Sequence, residues 1–318
     1  MRIPRILAAL SLAVAAASAA AQYPNKPIKI IVPFPAGSAT DTVARILSQS
    51  VSTAVGQAVV VENKAGADGA IAGAEVAKAA PDGYTLLLAT NSPMAVAPAM
   101  KKVPPYDPVA DFTPIADVGR YTFFLFATAS LPQKSLAEII AYAKANPGKL
   151  AYATGNTTGI VSFAQFNALA GTQMLHVPYK GEPAAITDLL AGRVHLIFAT
   201  PTTGLAHVKD GKLRAVVTSL KQRSPILPDV PTISEAGMPK FSILSWAALY
   251  GPAKMPKDIV ERLNREFVAA MKRPDVLAAM DKQAFILSPS TPEELGVFTK
   301  EQFEDYKRIL RESGIQPE

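Results

Sequence analysis

Residues 28–41 read IKIIVPFPAGSATD, and no other stretch restricts the chain as much. Ile28, Ile30, Ile31 and Val32 form a short apolar run, the pattern of a buried strand. Pro33 and Pro35 stop it. Ala36, Gly37, Ser38 and Ala39 are small and leave backbone N–H groups uncovered. From Asp41 onward, Val43, Ile46, Leu47, Val51, Ala54 and Val55 recur at helical spacing. The unit is therefore strand, small-residue loop, helix. A helix start has unpaired N–H groups and about half a positive charge, so an anion can settle there behind small residues. Two roles fit Ser38, Thr40 and Asp41. They can cap an ordinary helix, or they can form one jaw of an anion site with Phe34, Ala36, Gly37 and Ala39. A Walker A loop is excluded because no Gly-Lys-Ser/Thr follows, and a dinucleotide fingerprint because Gly37 is the loop's one glycine.

The same rhythm recurs. Apolar runs at 58–62 (AVVVE) and 84–90 (YTLLLAT) flank a small-residue helix expected at 71–79. Strands alternating with helices predict a parallel sheet with right-handed crossovers. Ligands in such sheets bind beyond the carboxyl ends of strands, which marks Asn91 and Ser92. After strands at 115–118 and 123–127 and a helix at 136–145, the opening pattern returns. A strand at 150–154 ends in Thr154, a polar loop follows through Gly155, Asn156, Thr157 and Thr158 to Gly159, and a helix is expected over 160–170. Tyr179 and Thr200 close two further strands. More helices are expected at 183–191, 206–210, 257–271, 274–282 and 292–313, with strands at 213–219 and 245–250. This order predicts two α/β halves. The chain crosses near Phe123 and returns near Ser245, giving a hinge and a cleft. Residues 22–122 plus 245–318 make one domain and 123–244 the other.

Residues 1–21 read as a secretory signal peptide. Arg2 and Arg5 form a basic start, residues 6–17 an apolar core, and residues 17–21 a small-residue cleavage region. The apolar core is too short for a stable span. What remains, about 300 residues, is near the size at which single cores stop growing. The formal charge of +6 falls by two with the leader, a mild excess that suits anionic small molecules. No basic cluster interleaved with aromatics points to nucleic acid. Cysteine is absent, which excludes disulfides and thiol chemistry. The three histidines, His176, His195 and His207, fit no zinc spacing, and no G-x-S-x-G elbow occurs. Asp107, Asp111 and Asp117 lack the glycine and spacing of an EF-hand. A secreted enzyme acting on a carboxylated substrate is the competing class, and these absences count against it.

The segments YPNKPIKIIVPFPAGSATD, VVVENKAGADG, APDGYTLLLAT, YDPVADFTPIA, VPYKGEPAAITDLLAGRVHLIF, GKLRAVVTS and LPDVPTISEAG, followed by the final helices, resemble the Bug family. These are extracytoplasmic solute receptors of tripartite tricarboxylate transporters. The likeness covers essentially the whole mature chain, in the family's order. It implies a two-lobed, type II periplasmic-binding-protein fold that closes on a small carboxylate without a cofactor. It also implies a periplasmic location, membrane transporter subunits as partners, and a monomer. By this resemblance the carboxylate lies between residues 34–41 and 154–158, often with ordered waters. The second loop departs from the family's frequent Ser-Pro-His helix start, since Thr158 is followed by Gly159-Ile160-Val161-Ser162. Phe163 is a candidate to reach an apolar ligand body; Phe166 fits the core. Neither loop carries Lys or Arg, so Ser38, Asn156, Thr157, Thr158 and backbone N–H groups are the expected donors, with Lys180 as the rival. Mass spectrometry of the exported protein is expected to find a chain cleaved near residues 19–21; intact Met1 would contradict the leader.

Overall fold

The computed structural model describes residues 23–317, so the leader lies outside the described residues. Two sheets organise them. The six-stranded one has the order β11-β4-β10-β3-β1-β2, with β1 at Ile28–Val32, β2 at Val59–Asn63, β3 at Thr85–Thr90, β4 at Phe112–Tyr121, β10 at Trp246–Pro252 and β11 at Phe285–Leu287. The five-stranded one has the order β7-β6-β8-β5-β9. Its strands are β5 at Phe124–Thr128, β6 at Ala151–Thr154, β7 at Leu175–Pro178, β8 at Leu196–Ala199 and β9 at Leu213–Thr218.

The parallel expectation holds for part of each sheet. Strand β1 runs parallel to β2 and β3, with Ile30 opposite Val61 and Leu86. Strand β6 runs parallel to β7 and β8. The other pairings correct it. Strand β10 is antiparallel to both β3 and β4, and β5 is antiparallel to both β8 and β9. Strands β10 and β5 stand beside the crossings, while the short edge strand β11 is also antiparallel to β4. A chain arriving from the opposite sheet enters from the far end, so its first strand opposes its neighbours.

Helix α1, Ala39–Val55, starts two residues before Asp41 because the Ser38 side chain caps it, accepting the Asp41 N–H at 3.3 Å. Its inner face, Val43, Ala44, Leu47 and Val51, packs on the first sheet, and Gly56, left-handed at φ +68°, ends it. Helix α2, Ala70–Ala77, covers the other face. Strand β3 then runs into a π-helical turn, Ser92–Val96. The second half repeats the plan with α3 at Leu136–Ala145, α4 at Thr157–Ala170, α5 at Glu182–Leu190 and α6 at Pro201–Lys209. Helix α4 starts three residues earlier than expected. The Asn156 side chain accepts the Gly159 N–H at 2.9 Å, so the polar residues Thr157 and Thr158 form the first turn. The last helices, α7 at Lys257–Met271, α8 at Pro274–Asp281 and α9 at Pro292–Glu312, pack on the first half. The three-residue β11 between α8 and α9 had no sequence signal.

Buried Asn91 joins the two halves. Its Nδ2 donates to Thr158 Oγ1 at 2.6 Å and to the Tyr306 hydroxyl at 2.9 Å. Its Oδ1 accepts from Ser245 Oγ at 3.3 Å, and the Tyr306 hydroxyl donates onward to Leu244 O at 2.6 Å. This network ties the end of β3, the start of α4, the returning chain and α9. Tyr306→Phe strands a buried amide donor and a carbonyl, and is expected to cost about 1–3 kcal/mol. Urea unfolding with an unchanged slope checks this; an unchanged midpoint would show that the network is not structural.

Candidate functional site

A cavity lies between the halves, about 40 Å³ of it open to the centre of a water molecule. That is room for a few waters or one small acid. The first half supplies Phe34, Pro35, Ser38, Ala39, Thr40, Thr90, Ser92 and Tyr121. The second supplies Gly155, Asn156, Thr158, Gly181, Glu182 and Thr200, with Phe123 and Ser245 at the crossings. Four of these are helix caps: Ser38 of α1, Asn156 of α4, Gly181 of α5 and Thr200 of α6. A helix start leaves its first N–H groups without intrahelical partners, and all four starts border the same small volume, although Pro183 and Pro201 in the first turns of α5 and α6 have no N–H to give. No lysine, arginine or histidine lines it. Lys180 is exposed on the adjoining loop and outside the lining. Among the described residues no cluster of His, Asp and Glu could hold a metal ion.

Of the residues marked from the sequence, Phe34, Ser38, Ala39, Thr40, Ser92, Gly155, Asn156, Thr158 and Thr200 meet in this lining. The others stand outside it. Asp41 is 4 % exposed and turned inward. It accepts bonds from Gly37 N, Arg45 Nε and Asn63 Nδ2, each at 3.0 Å, and Asn63 also donates to Phe34 O at 3.0 Å. Burial alone would raise its pKa, but these donors outweigh it and hold the carboxyl below the usual range. Asp41 thus braces the loop from behind. Ala36 and Gly37 lie on the outer side of that loop. A Cβ on Gly37 would meet no protein atom within 4 Å, and the residue supplies φ +80° to the loop.

Asn91 is spent in the buried network. Thr154 is bonded to His176 Nε2 at 2.7 Å. Thr157 is buried, and its hydroxyl has no hydrogen-bond partner. Phe163 is fully buried, stacked on Tyr152 at 4.1 Å and edge-on to Phe198 at 4.9 Å, so it belongs to the core beneath the site. The Tyr179 hydroxyl donates to Asp188 at 2.7 Å, away from the cavity.

Sequence reasoning missed Tyr121, Phe123, Gly181, Glu182 and Ser245 as lining residues; Pro35 lay within the marked span 34–41 and Thr90 at the marked end of β3. Glu182 directly follows the loop after β7, so the strand-end rule reached within two residues of it. Tyr121 carried no local signal. Its hydroxyl donates to Thr40 Oγ1 at 3.0 Å, which leaves the Thr40 proton for another acceptor. Burial keeps the Tyr121 phenol protonated far above its ordinary pKa.

Glu182 is the one charged side chain in the lining. Its Oε2 accepts from Thr200 N at 3.1 Å, Thr200 Oγ1 at 2.8 Å and Thr203 Oγ1 at 3.0 Å, while its Oε1 takes only Asn156 Nδ2 at 3.4 Å. Burial raises its pKa, and these neutral donors offset that only in part.

The model of the family described as "Tripartite tricarboxylate transporter family receptor" matches residues 43–315. The chain belongs to this receptor family. It is 35 % identical to "Protein BugT" of Bordetella pertussis, over 99 % of each chain. Among solved structures, the receptor superposes on "periplasmic binding protein BugD" with a TM-score of 0.87 at 32 % identity, covering 92 % of this chain and 99 % of that one. It also superposes on R. palustris Rpa4515, solved with adipate, with a TM-score of 0.89 at 30 % identity, covering 93 % and 100 %. The fold is thus that of a two-lobed α/β periplasmic binding protein, and the family is one of solute receptors rather than enzymes. Among the described residues no helix is long and apolar enough to cross a membrane.

In the receptor, a Cβ at Gly155 would collide with the backbone of Gly181 and Glu182. Gly155→Ala should push the α4 and α5 starts apart and weaken ligand binding at least tenfold, with a smaller effect on melting. Calorimetry beside a thermal melt checks this; unchanged affinity would show that the spacing of these two starts does not matter.

Proposed function

We propose that this protein captures a small carboxylate in the periplasm and delivers it to the membrane subunits of a tripartite tricarboxylate transporter. The observation that carries the reading is the convergence of four helix starts on one cavity with no cationic side chain in its lining. The ligand carboxylate lies between the starts of α1 and α4. Its donors are the backbone N–H groups there and the hydroxyls of Ser38, Thr40 and Thr158. A hydrogen bond to a charged group contributes about 1.5–3 kcal/mol net, and each helix-terminus field about 0.3–1 kcal/mol. Three or four contacts therefore reach the roughly 8 kcal/mol of micromolar binding before association costs.

The protein acts as a monomer. Its two domains, residues 22–122 with 245–318 and residues 123–244, hinge at the crossings beside Phe123 and Ser245. Pro35 supports closure across the cleft: a Cβ at Gly181 would lie 3.3 Å from its ring. Ligand contacts to both lobes favour the closed state only as far as that state binds better.

A thermal-shift screen against mono-, di- and aromatic carboxylates is the direct test. A ligand at about a hundred times its dissociation constant adds roughly 2.7 kcal/mol. Lys180→Met is expected to keep affinity within about threefold, the cost of losing one exposed charge, and small-angle scattering to show a smaller radius with ligand. No stabilisation by any acid would refute the reading. A Lys180→Met variant that no longer binds would refute the neutral-donor site.

A further inference from the structure

The four helix starts are not equivalent. Those of α5 and α6 already have their anion, since Glu182 sits in the first turn of α5 and its Oε2 takes the Thr200 N–H at the start of α6. The starts of α1 and α4 have no acid facing the cavity; Asp41, in the first turn of α1, is turned away and held by Arg45, Asn63 and Gly37. A ligand carboxylate is thus directed to α1 and α4, and it shares a small cavity with the carboxylate of Glu182. Like charges in a space with little water repel strongly.

Neutralising two helix starts uses one oxygen of Glu182. The other, Oε1, has only the long bond from Asn156, although a carboxylate oxygen can accept two. The groups around it are neutral: Tyr121, Asn156, Thr200 and Thr203, with the backbone of Gly155 and Gly181. No cation among the described residues pairs with Glu182.

We propose that Glu182 selects a carboxylate that also carries a cationic nitrogen, the ligand's carboxylate on the starts of α1 and α4 and its nitrogen on Glu182 Oε1. The inference rests on the carboxylate-receptor reading and narrows it to zwitterions. A charge-assisted bond to Oε1 supplies the missing partner and removes the repulsion together. Burial without a counter-charge, which raises the pKa of Glu182, is the condition a ligand cation relieves.

Calorimetry at pH 7 with the matched pairs glutamate and glutarate, aspartate and succinate, and β-alanine and propionate tests this on the wild type and on Glu182→Gln, with folding followed by thermal melts. In at least one pair the amino acid is expected to bind tenfold or more tightly than its partner, and Glu182→Gln to cancel or invert that preference. Equal or tighter binding of the nitrogen-free acids by the wild type overturns the proposal and leaves the carboxylate receptor intact. So does a stabilising hit, in the wider thermal-shift panel, confined to acids without a cationic nitrogen. A preference that survives Glu182→Gln also overturns it. No heat from any pair, with no stabilisation across the panel, removes the carboxylate reading itself.

Discussion

Every α-helix begins with N–H groups that its own backbone cannot satisfy, and this fold collects four such beginnings around one cavity. The strands determine where they fall. Helices α1 and α4 each follow the carboxyl end of a parallel strand, β1 and β6, and those ends face each other across the cleft. Side chains absorb only part of the unmet demand. Ser38 takes the Asp41 N–H, Asn156 takes the Gly159 N–H, and Glu182 takes the Thr200 N–H. What remains is a polar volume lined by no positively charged side chain, where Glu182 is the one charged group. A lysine or arginine would hold a carboxylate by charge alone; oriented amides hold it by geometry.

Buried polar groups give that geometry its rigidity. Asn91 uses both ends of its amide, bonding to Thr158 on the opposite half and to Tyr306 on the last helix. Asp41 and Asn63 fix the first loop in the same manner, through Gly37 N and Phe34 O. Both devices lie just behind the cavity wall. Such groups are costly when unpaired, so each network admits one arrangement of the elements it joins.

Much of this was legible in the chain. The apolar runs of β1, β3 and β6 and the small residues after them marked turns that border the cavity from both halves, because a strand end followed by a helix is a local pattern. Where the reading failed, the cause was contact rather than propensity. Helix α4 was started too late because Thr157, Thr158 and Gly159 look like loop, and only the Asn156 cap shows them to be helical. Phe163 looked available at helical spacing, yet Tyr152 and Phe198 close over it. The antiparallel strands β5 and β10 depend on how the chain returns between sheets, which no window of sequence records.

The sequence by itself determined the α/β alternation, the double crossing, and a pair of small, uncharged loops at strand ends, since each follows from periodicity and from residue size within a few neighbours. It determined the family as well, because those segments occur in order along the chain. Only the tertiary structure decided which of the marked polar residues face the cavity, that Tyr121 and Ser245 join them from the crossings, and that Glu182 stands among them without a counter-charge. Those facts depend on which side of a packed element each side chain occupies once residues far apart in sequence meet. Burial and hydrogen bonding across such distances are properties of the assembled fold.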